Sequence, residues 1–230
     1  MAKLFGVSVG TGDENLITVK GLNIIKSAPV IAYIHLPNKD SLALSIIKNH
    51  ISDDKVHIPI AMPMNLETET ASNAYDNGAV EIKKYLDAGK DVAFLCEGDS
   101  LFYGSFMYIN DRIKSDYNVE IIPGVNSVSA SSSALGMGLV SRNEILSVIP
   151  ATNDEEKIIS AIESADTIVI MKIGKHLNKI KDILTKLNLT DNAYCVINAS
   201  HDNEQVSPLN QVETSPYFAT IIIKKNTGLY

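Results

Sequence analysis

Three short turns in this 230-residue chain place glycine beside acidic or amide residues, each directly after an apolar run. They are Gly10-Thr11-Gly12-Asp13-Glu14-Asn15, Glu97-Gly98-Asp99-Ser100 and Ile122-Pro123-Gly124-Val125-Asn126-Ser127. Glycine lets a backbone approach a ligand closely and take left-handed angles. A neighbouring carboxylate offers an anion, and a helix starting after the turn offers free N–H donors. Turns of this kind at the ends of strands build small-molecule sites in α/β sheets. The first turn is not a dinucleotide fingerprint, because Asn15 stands where G-x-G-x-x-G needs its third glycine. It also lacks the Gly-Lys-Ser/Thr of a P-loop. Each turn taken alone fits a structural role as well, with Asp13 as a helix cap.

The elements that must position these turns alternate along the chain. Apolar runs at 3–9, 30–34, 56–60, 92–96 and 119–122 read as strands. Helical periodicity occupies 16–27, 41–50, 69–88 and 105–114, with Asp40 or Ser41 as an N-cap and Gly89 as a C-terminal stop. This β/α alternation predicts a mostly parallel sheet. A second series follows. Helices are expected at 127–138, 154–163 and 176–187, and strands at 145–149, 167–173, 193–198 and 218–224. The expected architecture is therefore two α/β lobes, residues 1–123 and 124–230, hinged near Pro123-Gly124.

Composition narrows the function classes. With 45% hydrophobic and 20% charged residues the chain is ordinarily globular. Its formal charge of −7 and its two arginines, Arg112 and Arg142, argue against a nucleic-acid partner. No apolar run approaches the roughly 20 residues needed to span a bilayer. The N-terminus runs almost at once into a strand, and no signal peptide is expected. Cys96 and Cys195 lie in apolar runs without metal-ligand spacing, which reads as buried, reduced thiols in a cytoplasmic protein.

The three turns, in this order, resemble the tetrapyrrole (corrin/porphyrin) methylases. That family opens with a strand, a Gly-x-Gly-Pro-Gly-Asp-Pro-like turn and a Leu-Thr-x-Lys-Ala helix. Here the stretch is Gly6-Val7-Ser8-Val9-Gly10-Thr11-Gly12-Asp13-Glu14-Asn15-Leu16-Ile17-Thr18-Val19-Lys20-Gly21. Its Gly-Asp-Pro-x-x-Tyr-Gly motif corresponds to Gly98-Asp99-Ser100-Leu101-Phe102-Tyr103-Gly104, and its Pro-Gly-Val-Ser/Thr-Ser stretch to Pro123-Gly124-Val125-Asn126-Ser127. Thr11, Glu14 and Ser100 replace prolines of the pattern, and proline there would preorganise a turn. Pro59-Ile60-Ala61-Met62-Pro63-Met64 and Ile170-Met171-Lys172 are similar to the branch that methylates C20 of precorrin-2 or cobalt-factor II.

The resemblance implies two α/β lobes with a cofactor cleft between them, a homodimer, and S-adenosylmethionine as methyl donor, leaving S-adenosylhomocysteine. It places Thr11, Glu97, Gly98, Asp99, Phe102, Asn126 and Ser127 at the cofactor, with Lys172, Ala199, Ala219 and Thr220 as further contacts. The partner would be a small tetrapyrrole, with no protein-bound metal, since no His/Cys/Asp cluster suggests one. If the reaction needs a base, Asp13, His35 and Tyr103 are the candidates. Their plain alternatives are a cap, a strand-end residue and a packing residue. Arg142, Lys20, Lys39 and Arg112 are candidate partners for the ring carboxylates. Met62, Met64, Met107 and Met137 are candidate linings of a flat apolar slot, or core. Two other functions stay open: methylation of a different ring carbon or substrate, and a non-catalytic module that binds S-adenosylmethionine and regulates a partner.

Overall fold

The computed structural model describes residues 2–63 and 68–225, which fall into two compact units, Met1–Asn126 and Ser127–Tyr230. The N-terminal unit runs β1 (Lys3–Ser8), α1 (Val19–Ser27), β2 (Val30–His35), α2 (Leu42–Ile47), β3 (Val56–Ala61), α3 (Thr68–Asp87), β4 (Val92–Cys96), α4 (Phe106–Ile113) and β5 (Asn118–Ile122). Its five strands lie in the order β3-β2-β4-β1-β5, and each described pair is parallel.

The alternation of β4 explains its burial on both faces. Val92, Phe94 and Cys96 join a core with Leu4, Ile82, Phe106 and Ile109. Ala93 and Leu95 join another with Val7, Ile25, Ile31 and Ile47. Continuous apolar runs are what a parallel strand covered by helices on both sides requires. The strand order also fixes where a ligand can sit. From β1 the chain travels past β4 to reach β2, and from β4 it travels past β1 to reach β5. The connections leaving these adjacent strands diverge, and their carboxyl ends border a crevice at the topological switch point.

The C-terminal unit contains α5 (Ser127–Leu135), β6 (Leu146–Pro150), α6 (Glu155–Glu163), β7 (Thr167–Met171), α7 (Leu177–Lys186), β8 (Ala193–Ile197), β9 (Gln205–Pro208) and β10 (Ala219–Lys224). The sheet order is β6-β7-β10-β8-β9. Only β6 and β7 pair in parallel; β10 runs antiparallel to β7 and β8, and β9 antiparallel to β8. α6 and α7 bury Ile158, Ile162, Ile180 and Ile183 against Ile168, Ile170, Cys195 and Ile221. α5, rich in serine and alanine, packs against β10 and β8. Small side chains let its backbone lie close to the sheet.

Several elements differ from the sequence reading. The helix expected at 16–27 begins at Val19, because the Asp13 carboxylate closes a separate short turn at Glu14–Leu16 and Thr18 Oγ1 caps the helix from Gly21 N at 3.1 Å. The helix expected at 127–138 stops at Leu135, where Gly136 turns left-handed at φ 64°. The chain beyond is pinned by the buried Lys224, whose Nζ donates to Gly138 O at 2.8 Å, and by Thr167 Oγ1, which donates to Leu139 O at 2.5 Å. β9 carries no apolar alternation, as suits a short edge strand, and so gives no periodic signal. The second sheet is mixed, parallel at β6–β7 and antiparallel at the other described pairs. Cys96 and Cys195 are free thiols, one in each unit, and burial pushes both up, Cys195 to about 11.

Candidate functional site

The β1 and β4 ends are locked together at the switch point. Val9 N donates to Cys96 O at 2.9 Å, and Gly98 N to Gly10 O at 2.7 Å. Gly10 and Gly98 form an isolated antiparallel bridge, at φ 79° and 68°. A β-carbon at Gly98 would have only Asn126 Cα within reach, at 4.0 Å, so this face of the turn is open to a ligand. The Asp99 carboxylate staples the turn. Oδ1 accepts from Leu101 N at 2.9 Å and Phe102 N at 3.0 Å, and Oδ2 accepts from Gly124 N at 3.0 Å. Asp99 therefore ties the β4 turn to the β5 turn, with three charge-assisted bonds holding both.

Ser100, which stands where the family pattern has proline, finds a partner that sequence reasoning missed. Its hydroxyl lies 2.9 Å from Ser8 Oγ, which also accepts from Ser100 N at 2.9 Å. Both serines are fully buried. Ser8 itself gave no signal, because an isolated serine in a strand looks neutral. The signal available was Ser100: a hydroxyl replacing proline in a buried turn requires a partner.

Four carboxylates surround this mouth in sequence, and three are committed. Asp13 Oδ1 accepts from Asn15 N and Asn15 Nδ2, both at 2.8 Å. Glu14 Oε2 holds Asn49 Nδ2 at 3.1 Å and His50 Nε2 at 3.2 Å. Asp99 holds its three amides. Glu97 has no hydrogen bond or ion pair among the described residues, and desolvation pushes its carboxyl up to about 7.

The remaining N-terminal candidates are dispersed around this centre. Thr11 is buried in the first turn, Phe102 and Asn126 are half-buried, and Tyr103 is exposed with a left-handed φ of 57°, edge-on to Phe102 at 5.2 Å. His35 ends β2, its Nδ1 3.1 Å from Leu36 O. Two of the cations proposed for ring carboxylates are engaged elsewhere. Arg112 binds Asp76 Oδ1 at 2.6 Å and Ser72 Oγ at 2.8 Å, and Lys20 pairs with Glu120 at 2.6 Å. Lys39 and Arg142 are exposed. Met62 is core, Met107 and Met137 are half-buried, and Met64 lies outside the described residues.

In the C-terminal unit the expected positions gather at one sheet edge, save Ser127, which opens α5. Ile221 pairs with Ile170, so Ala219, two residues earlier, comes level with Lys172, two residues beyond Ile170. Ala219 also pairs with Ile197, two residues before Ala199. Thr220, Ala219 and Ala199 are buried. Lys172, Asn198 and Ser200 are all left-handed here, at φ 56°, 52° and 65°. Such conformations in non-glycine residues cluster at ligand sites. Asn198 and Ser200 were not foreseen, since no residue type marks them.

Within the N-terminal unit the residues present suit S-adenosylmethionine: an open glycine turn and an uncommitted carboxyl. Among the described residues no group of three or more His, Cys, Asp or Glu could hold a metal ion, and no helix is long and apolar enough to cross a membrane.

Comparison with known proteins adds a consistent set of relatives. Residues 3–212 match the family model for tetrapyrrole (corrin/porphyrin) methylases. The chain is 35% identical, over 96% of its length, to the cobalamin biosynthesis protein CobIJ of Mycobacterium tuberculosis, but spans only 45% of that protein. It is 31% identical to a precorrin-2 C(20)-methyltransferase of Sinorhizobium sp., covering 97% of this chain and 95% of that one. A cobalt-precorrin-2 C(20)-methyltransferase of Salmonella typhimurium is 29% identical, over 97% and 96%. Among solved structures, a uroporphyrin-III C-methyl transferase from Thermus thermophilus, complexed with S-adenyl homocysteine, superposes with a TM-score of 0.70 at 19% identity, covering 97% and 98%. That similarity bears on the fold.

Proposed function

The chain belongs to the tetrapyrrole (corrin/porphyrin) methylases, and on that premise we propose that it is an S-adenosylmethionine-dependent C-methyltransferase of cobalamin biosynthesis. The proposed reaction is methylation of C20 of precorrin-2 or of cobalt-factor II, giving precorrin-3A or cobalt-factor III. The observation that carries this reading is the pair of locked turns at the β1/β4 switch point. There the family motifs meet around an open Gly98 and an uncommitted Glu97. Near-full-length relatives named for both the metal-free and the cobalt-bound substrate support the C20 assignment and leave the metal content to experiment.

When bound, S-adenosylmethionine supplies a methyl group on a sulfonium, already an activated leaving group. The protein's task is then alignment and exclusion of water. Glu97, Gly98, Phe102, Thr11 and Asn126 are the proposed cofactor contacts of the N-terminal unit. Ser127, Lys172, Ala199, Ala219 and Thr220 are those of the C-terminal unit. Asp99 acts on the ligand through the two turns it joins. The tetrapyrrole is assigned to the N-terminal unit, and the C-terminal unit shares the cofactor. A homodimer, which the resemblance implies, and a cytoplasmic location, read from two buried reduced thiols, belong to the same proposal.

The test is turnover. Incubation with precorrin-2, with and without cobalt, should yield S-adenosylhomocysteine and a product heavier by one methylene, with the new methyl at C20. Methylation at another carbon would move the enzyme to a sibling activity. Cofactor binding without product from any tetrapyrrole would favour the regulatory reading.

A further inference from the structure

We infer that Glu97 is the residue that receives the proton displaced from the ring carbon when the methyl group arrives, a role that rests on the function proposed above. Geometry makes it the best-placed acid. Of the four carboxylates around the β1/β4 mouth, Asp13 caps a turn, Glu14 holds Asn49 and His50, and Asp99 is saturated by three amides. Glu97 follows directly on β4, between the β1 turn, to which Gly98 is bonded, and the β5 turn, whose Gly124 would place a β-carbon 3.1 Å from Gly98 O. A half-buried carboxyl without a partner is costly, and such groups persist where they are used.

The other base candidates fare less well. Tyr103 is exposed, and Asp13 is occupied. His35 is the one titratable group on a neighbouring strand end. Tyr33 pairs with Leu95, so His35 and Glu97 each stand two residues past that pair. The segments that border Glu97 by topology carry Asp99 on its own turn, Asp13 and Glu14 on the β1 turn and His35 at the end of β2; Cys96 precedes it on β4, and residues 123–126 add no charge. Burial, not a neighbouring charge, raises its pKa to about 7, which suits proton transfer near neutrality.

The ring carbon forms a C–CH₃ bond and loses its C–H bond, the C–H electron pair stays with the ring, and the proton moves to a Glu97 carboxylate oxygen. The sulfur keeps the electron pair of the broken S–CH₃ bond. Ionised Glu97 accepts one proton and returns it to solvent before the next turnover.

The test uses Glu97→Gln and His35→Asn. Wild-type kcat/KM should rise with pH through an acid limb near the free enzyme's carboxyl pKa. Glu97→Gln should lower kcat about 10²-fold or more and abolish that limb; His35→Asn should keep the limb. A readout independent of activity is stability. A carboxyl raised from 4.5 to about 7 favours the folded state while protonated, and that advantage is lost as pH rises between those values. Glu97→Gln should therefore raise Tm at pH 8 and change it little at pH 4. Wild-type kcat in Glu97→Gln, or a limb lost in His35→Asn and kept in Glu97→Gln, overturns the assignment alone. An identical Tm difference at both pH values overturns it too. Wild-type enzyme that methylates no tetrapyrrole overturns the proposed function, and this role with it.

Discussion

The two sheet edges assigned to the cofactor reach similar backbone shapes by opposite means. At the N-terminal edge, Gly10 and Gly98 take the left-handed angles. At the C-terminal edge the same region is occupied by Lys172, Asn198 and Ser200. Left-handed geometry costs an L-residue about 1–2 kcal/mol, with asparagine penalised least. The second edge must therefore be held by its surroundings. Asn198 N donates to Phe218 O at 2.9 Å, His201 N to Asn198 O at 3.0 Å, and Ser200 N to Glu204 Oε2 at 2.6 Å. At Gly10 and Gly98 residue type shapes the backbone; at Lys172, Asn198 and Ser200, as at Tyr103 (φ 57°) beside the N-terminal turn, tertiary restraint does.

That contrast can be broken most severely at Gly104. A β-carbon there would sit 2.5 Å from Asp99 O and 2.6 Å from Ser100 O, both backbone atoms of the stapled turn. Gly104→Ala should cost about 3 kcal/mol in urea unfolding at unchanged m. A loss under about 1 kcal/mol would mean the turn has slack and is not a rigid platform.

The serine pair sharpens the contrast at intermediate size. Ser8→Ala leaves the buried N–H of Ser100 without its acceptor and the Ser100 hydroxyl without its partner, and should cost about 2 kcal/mol. Adding Ser100→Pro removes both orphans at once, so the double variant should recover at least half the loss. A double variant no better than Ser8→Ala would show that proline does not suit this turn.

The smallest effect compares the two edges directly. Gly98→Ala, at φ 68° in open space, should destabilise by about 1 kcal/mol. Lys172→Gly relieves backbone strain but removes the lysine side chain's interaction, so its stability should stay within about 1 kcal/mol of wild type. A loss well beyond that at Lys172 would show that its side chain, not its backbone, dominates there.

Legibility in the sequence follows the same division. The five parallel strands were readable because Val92–Cys96 and its neighbours are apolar without interruption, and the three turns because glycine and aspartate punctuate them. The antiparallel course of β10 was not readable. Strand direction depends on the path of the chain, and Ala219–Lys224 carries no residue that marks it. The commitments of the acids were hidden as well. Asp99 and Glu97 are two residues apart and look alike in sequence, yet one is saturated by amides and the other is unpartnered. Two of those amides, Leu101 and Phe102, belong to the turn itself, and the third, Gly124, is brought near only by the fold.

The two buried thiols make the protein its own folding probe. Cys96 sits in the core of the first unit and Cys195 in that of the second, and neither thiol ionises readily at neutral pH. Alkylating reagents attack the thiolate, so labelling waits for opening. Mass spectrometry of the two cysteine peptides, after timed labelling in mild denaturant, would report the opening rate of each unit separately, without any introduced dye or substitution.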